Sequence, residues 1–327
     1  MSDWVARAEA FADEVLFPAA NEIDSLDVLP RARLDLLAAE GWYGVADEVS
    51  AEELYGVLAA FAGGCLTTTF VWFQHHGAVR TLQRAPDALR DEWLAPLCSG
   101  ETRSTIAYAG LLPGAPLRAR REGDHWVLDG QAFFVSGWGL ADIVHVAART
   151  PDDEIVWLFV DMASPGFTAT PHRLLGVNAS ATVGLRVDGV RVPATRELSR
   201  FPYARWPEID AAGLRVNGSL AAGLAARCCR LIGPSALDDE LTATVAALDA
   251  GTPATFPARR AAMSAFAAKA AAALVVHEGS AGVERGTTAE RLYREAAMLL
   301  IFATRPAIRA ELLGALGASQ LDATGAS

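Results

Sequence analysis

The run "WVLDGQAFFVSGWGLADIVHVAART", Trp126 to Thr150, decides the fold. It is rich in β-branched and aromatic residues that alternate with small or polar ones, and Asp129-Gly130 breaks it as a turn would. It predicts two or more short strands. "RSTIAYAG", "EIVWLFVDM", "GFTATPHR" and "TVGLRVDGVRVP" read the same way, with turns at Glu122-Gly123-Asp124 and Asp188-Gly189. Six or more strands with no helix between them predict a central antiparallel β-barrel or sandwich over 103–205.

Outward from this block the period changes. Residues 1–102 read as an N-terminal helical domain. "WVARAEAFADEVLFPAA" carries apolar residues at helical spacing, and "PRARLDLLAAEG" has helix punctuation at both ends. Ser50 to Glu53, "SAEE", is a capping box. "TTTFVWFQHHGAVRTLQRA" predicts one buried helix, and "PDALRDEWLAPLCSG" a short helix ended by Gly100. Residues 206–327 read as a C-terminal helical bundle, with helices near 209–232, 235–250, 257–276, 287–303 and 306–316. The fold class is therefore α+β and multidomain.

The 327 residues are 52% hydrophobic and 20% charged, which suits two or three domains. A mean hydropathy of +0.22 predicts apolar surface covered by a partner. A net charge of −11 without a basic block argues against a nucleic-acid partner. Cys65, Cys98, Cys228 and Cys229 show neither zinc nor disulfide spacing, so no metal is expected and a reducing, cytoplasmic compartment is. Arg215, Arg227 and Arg230 interrupt the Ala/Gly-rich stretch 211–237, and no membrane span is expected.

Four stretches in order resemble the acyl-CoA dehydrogenase family. "WLAPLCSGE" (Trp93 to Glu101) resembles the hinge into the family's β-domain. "WVLDGQAFFVSGWGLADIVHVAART" resembles its signature strand pair, with Ala132 in place of a lysine. "DGVRVP" (Asp188 to Pro193) is similar to the strand that ends the domain, and "GVERGTTAERLYREAAMLL" (Gly282 to Leu300) to the C-terminal run that precedes the catalytic base. The resemblance covers nearly the whole chain. It implies helical, β-barrel and helical domains with FAD between the last two, partly across a subunit interface. It also implies α,β-dehydrogenation of an acyl-CoA thioester. That reaction needs a carboxylate at the α-carbon and hydrogen-bond donors on the thioester oxygen.

The resemblance also locates what is missing. Setting Arg294-Glu295-Ala296 on the family's "RDA" puts Ala303 where the catalytic glutamate is expected. The other family position for that base falls in 211–237, which holds neither Asp nor Glu. "AGLLPGAP" (Ala109 to Pro116) aligns with the flavin loop. Ala109 stands for the threonine that meets the isoalloxazine, Gly114 keeps the loop glycine, and Ala115 replaces a serine. Phe134 takes the aromatic position of the signature and is expected in the core, while Ser136 keeps the hydroxyl. The arm that reaches the neighbouring subunit's FAD has no counterpart between "RCCRLIG" and "PSALDDEL".

Other candidates have bland readings. His75 and His76 are expected as one satisfied buried histidine and one exposed neighbour, with a replacement base as the alternative. Glu278 and Glu284 read as turn or cap residues. Arg291, Arg294 and Glu295 read as partners on a helix face. Arg305 and Arg309 suit a helix C-terminus, an acidic partner or a CoA phosphate. The resulting expectation is the base-less subunit of the heteromeric actinobacterial steroid/acyl-CoA dehydrogenase type, paired with a full-length sister that supplies the glutamate. The alternatives are a self-sufficient enzyme with a displaced base (Glu208, Asp210, Glu284 or a histidine) and a flavin-free scaffold.

Overall fold

A computed structural model describes residues 3–318; the closing stretch from 319 lies outside the described residues. The chain begins with α1 (Asp3–Phe11), which runs through one π-helical turn, Ala12–Leu16, into α2 (Phe17–Asp24). Then come α3 (Arg31–Ala39), α4 (Val45–Glu48), α5 (Ala51–Gly64), α6 (Leu66–Phe73), α7 (His76–Leu82) and α8 (Asp87–Ser99). The predicted capping box opens α5: the Glu53 amide donates to Ser50 Oγ at 3.2 Å, and the Ser50 amide donates to the Glu53 carboxylate at 2.9 Å. Gly100 ends α8 at φ +75°, a left-handed conformation that glycine adopts without strain. The single helix expected across 67–85 is instead two, because a turn at 74–75 separates α6 from α7. Phe11, Trp42, Phe61 and Trp72 interlock at ring distances of 4.7–5.6 Å to centre this core.

Eight strands follow: β1 (Ser104–Ala107), β2 (Leu117–Glu122), β3 (His125–Val135), β4 (Ile143–Arg149), β5 (Glu154–Asp161), β6 (Phe167–Pro171), β7 (Val183–Pro193) and β8 (Glu197–Pro202). They form one sheet in the order β6-β7-β3-β2-β4-β5-β8, with β1 beside β4. This corrects the expected barrel. β6 and β8 stand at opposite edges and the sheet stays open. Nor is it wholly antiparallel, since β4 runs parallel to β1 and, at Arg118↔Arg149, to β2. Alternation of apolar residues fixes which face of each strand is buried, but closure depends on tilt and stagger, which alternation does not encode. β4 is buried almost throughout because it is covered twice. Val144, Val146 and Ala148 face the sheet's own core, and Ile143 turns into the helical core. Gly130 is obligatory at φ +128°, since a Cβ there would come within 1.9 Å of the Pro116 carbonyl.

The last third comprises α9 (Trp206–Ile232), α10 (Ala236–Asp249), α11 (Phe256–Glu278), α12 (Thr288–Ile301) and α13 (Pro306–Ala315). Only Gly233 to Ser235 separates α9 from α10, in keeping with the missing arm. The segment Phe256–Val283 is long and apolar enough to cross a membrane by length and composition. Here it packs against α9, α12 and α13. α5 and α9 approach so closely that a Cβ on Gly223 would sit 1.9 Å from the Ala59 carbonyl. Ion pairs bind these helices to the first ones. Arg227 donates to Asp13 at 2.5 Å and to the Gly63 carbonyl at 2.6 Å. Arg294 bridges Asp24 and Glu290, and Arg291 meets Glu295 at 2.9 Å with both side chains 1% exposed. The four-residue spacing is as expected, but these groups lie between elements rather than on an open helix face.

Candidate functional site

The residues singled out from the sequence fall in two neighbourhoods. The first forms around the loop that joins α12 to α13. Ala303 sits in it at φ +50° and half-buried. Arg305, the next residue but one, donates to the carbonyls of Ala303 and Thr304 at 3.2 and 3.1 Å. The same guanidinium forms a bidentate pair with Asp210 in the first turns of α9, at 2.9 and 2.7 Å, and lies 5.9 Å from the Tyr108 ring. Burial works against the Arg305 charge, but Asp210 overrides it and holds the guanidinium above its usual range. Behind the loop, Arg260 is 1% exposed and donates to the Leu299 and Phe302 carbonyls at 3.4 Å. Burial lowers its pKa to about 10. Two arginines thus hold the carbonyls of Leu299, Phe302, Ala303 and Thr304 and fix the backbone where α12 ends. On the remaining side Phe302 packs edge-on against Phe70 of α6 at 4.8 Å and lies 6.5 Å from Phe73.

Among the described residues this arrangement has a backbone, an apolar wall and a clamped loop, but no free carboxylate. The Ala303 methyl cannot take a proton. Asp210 spends both oxygens on Arg305. Glu208 is exposed in the first turn of α9. Glu278 and Glu284 flank the 3-10 turn Gly279–Val283 at the other end of α12. Fourteen helical residues put that end roughly 20 Å from Ala303.

His75 and His76 do not reach the loop, and both are buried, which corrects the expectation of one exposed ring. The turn at 74–75 resets the helical phase, so both rings point inward, His75 against Tyr43 and His76 against Trp72. His75 Nδ1 accepts the Ser104 amide at 3.1 Å. Burial, with a contribution from Arg103, pushes its pKa down to about 3.

The second neighbourhood surrounds the end of β3. Phe134 is not core: it is 57% exposed, at φ +58°. A register shift between Ala132 and Val135 turns Val135 inward in its place. The Phe134 ring stacks on His172 at 4.9 Å and 22°, beside the equally exposed Phe133. Left-handed backbone at a bulky residue is strained. Val177 and Ala181, which bracket the nearby turn Asn178–Ser180, share that conformation. Ser136 faces the other way. Its hydroxyl is buried and joins Thr182 at 2.8 Å, and Thr182 joins Ser180 at 2.7 Å.

Ala109 begins the 3-10 turn Ala109–Leu111, buried against β4, and Gly110 lies so close to Ala147 and Ala148 that a Cβ would clash. Gly114 has φ +81° and open space around it, while Ala115 is buried. The fit to a flavin dinucleotide is therefore incomplete. Phe134 offers a flat apolar face, but the Ser136 hydroxyl is buried against Thr182, and Ala109 and Ala115 present methyl groups. The Asp210–Arg305 pair, the Arg260 support and the Phe134–His172 stack were not legible from the sequence, since each joins residues far apart in it.

No family model matches the chain. It is 27% identical over 224 residues to the very long-chain specific acyl-CoA dehydrogenase of Macaca fascicularis mitochondria, covering 61% of this chain and 34% of that protein. It is 27% identical over 204 residues to the short-chain specific enzyme of Bos taurus mitochondria, covering 56% and 49%. The match thus spans half or less of these two relatives' own length. Glutaryl-CoA dehydrogenase from Mycobacterium smegmatis superposes with a TM-score of 0.79 at 18% identity, over 96% of this chain and 95% of that one. The fold is that of the acyl-CoA dehydrogenases, and the sequence relatives, oxidoreductases by name, support the same family.

Proposed function

We propose that this chain serves FAD-linked α,β-dehydrogenation of an acyl-CoA thioester as the base-less subunit of a heteromeric acyl-CoA dehydrogenase. A full-length sister subunit supplies the glutamate and the missing flavin contacts. One observation carries the reading: the loop that would present the base is fully built and clamped, yet it offers Ala303, and the carboxylate tied to it, Asp210, is paired with Arg305.

Further support comes from the surface. Val276, Val283, Tyr293 and Ile301 are 50–80% exposed on or beside α11 and α12, apolar side chains that a partner subunit would cover. Phe134 gives the flavin ring a stacking surface and Gly114 leaves room beside it, while the phosphate contacts come from the sister. In this reading Ala109 and Ser136 shape the loop and the strand end. The division at 102/103 and 205/206 marks three domains, and the cytoplasm is the compartment, in keeping with four free cysteines. The acyl group is bulky, steroid side chains included. A flavin-free scaffold is the second reading, favoured by the Ser136 hydroxyl, which is buried against Thr182.

Purification alone, and after co-expression with a full-length acyl-CoA dehydrogenase from the same source, tests both. The heteromer reading expects flavin absorbance and acyl-CoA-dependent dye reduction only in the co-purified complex. Stoichiometric FAD with dye reduction by the chain alone would refute it. A colourless complex would leave the scaffold reading standing.

A further inference from the structure

Arg103 lies at the entry to β1, and its side chain is only 8% exposed. Nη2 meets Asp35 at 2.6 Å, and the guanidinium packs over the Tyr43 ring at 5.4 Å. Nε and Nη1 are also buried, yet no acceptor among the described residues meets them. A buried donor left in that condition is destabilising, more so when it carries charge. Beside it is a cavity with about 10 Å³ of room, lined among others by His75, Ser104, Thr105 and Gly137. That is close to the room one water molecule needs.

The lining offers acceptors as well as donors. Ser104 Oγ donates to the Thr105 carbonyl at 3.0 Å, and Thr105 Oγ1 donates to the Ser136 carbonyl. Both hydroxyl oxygens therefore keep lone pairs. A halide would satisfy Arg103 but leave those lone pairs facing an anion, and Asp35 already balances the guanidinium. We propose that the cavity binds a single water molecule, which accepts from Arg103 Nε and Nη1 and donates to the hydroxyl oxygens of Ser104 and Thr105. It completes the joint between the helical core, through Leu34 and Val71, and the start of the sheet.

A high-resolution crystal structure of the full chain, from crystals soaked in bromide, tests this directly. The expected result is one peak within hydrogen-bond distance of both nitrogens and no anomalous signal there. A bromide peak, no peak, or a guanidinium turned onto a protein acceptor would overturn it. In solution, Val71→Leu fills the cavity and expels the water. It should lower Tm in the native background and lower it less in the Arg103→Met background, where no donor is stranded. An equal drop in both backgrounds, or a rise in the native one, would count against a bound water.

Discussion

Acid should unfold this protein through its buried histidines before its carboxylates titrate. His75, His76 and His145 are each 3% exposed or less. His145 lies 4.3 Å from the Trp157 ring centre, and no partner among the described residues reaches either of its nitrogens. Burial alone lowers its pKa to about 3, burial chiefly does the same for His75, and His76 shifts in the same direction. The sign follows from proton linkage. The folded chain stays neutral at these rings while the unfolded chain takes up protons near its ordinary pKa of about 6.5. Stability is intact above that pH and is lost as pH falls from there toward 3. At pH 5 His75 and His145 each cost about 2 kcal/mol, because the pH is by then about 1.5 units below the unfolded histidine's pKa. His75 and His145 together remove roughly 4 kcal/mol, a large share of a typical 5–15 kcal/mol. Urea unfolding of the chain at pH 7 and at pH 5 measures the loss. In His145→Phe, which keeps the aromatic packing and cannot titrate, the loss should shrink by about 2 kcal/mol. An unchanged pH dependence in that variant would show that His145 is hydrated or protonated in the folded state and would refute the reasoning.

Other perturbations separate the interactions that hold the fold. Glu295→Ala strands the fully buried Arg291 guanidinium and should cost about 3–5 kcal/mol, whereas the double replacement Arg291→Met with Glu295→Leu should cost much less in the same denaturant assay. Gly223→Ala drives a methyl group into the Ala59 carbonyl where α5 crosses α9; Tm should fall by well over what Gly213→Ala causes, since nothing lies near that site. Ala303→Gly relieves left-handed strain at φ +50° and should stabilise by about 1 kcal/mol; a loss would mean the methyl packs against something that matters.

Local rules in the sequence were reliable where one local rule decides. The Ser50 box, the Gly100 stop and the five C-terminal helices lie within a few residues of expectation, because capping chemistry and helical period act over one or two turns. The errors share a cause. Phe134 sits in phase with Trp126, Leu128 and Ala132, so simple alternation turns it inward; one bulge after Ala132 shifts the phase and exposes it. The turn at 74–75 likewise resets the helical phase, so His75 and His76 are both buried where continuous helix would leave one of the two exposed. Sheet closure, and the pairing of Arg305 with Asp210 across 95 residues, depend on how distant elements meet. How tightly the loop around Ala303 is clamped depends on the same distant contacts.

The arginine bridges between the two helical parts also bear on how the chain reaches its native state. Arg227 reaches back 214 residues to Asp13, and Arg291 and Arg294 reach back 270 to Asn21 and Asp24. The first helices leave the ribosome long before their partners exist, and the sheet must form in between. Such distant contacts slow folding, because the loop entropy is spent before they form. During synthesis the apolar backs of α5 and α6 wait uncovered for α9 and α12, a period in which chaperones would determine the yield.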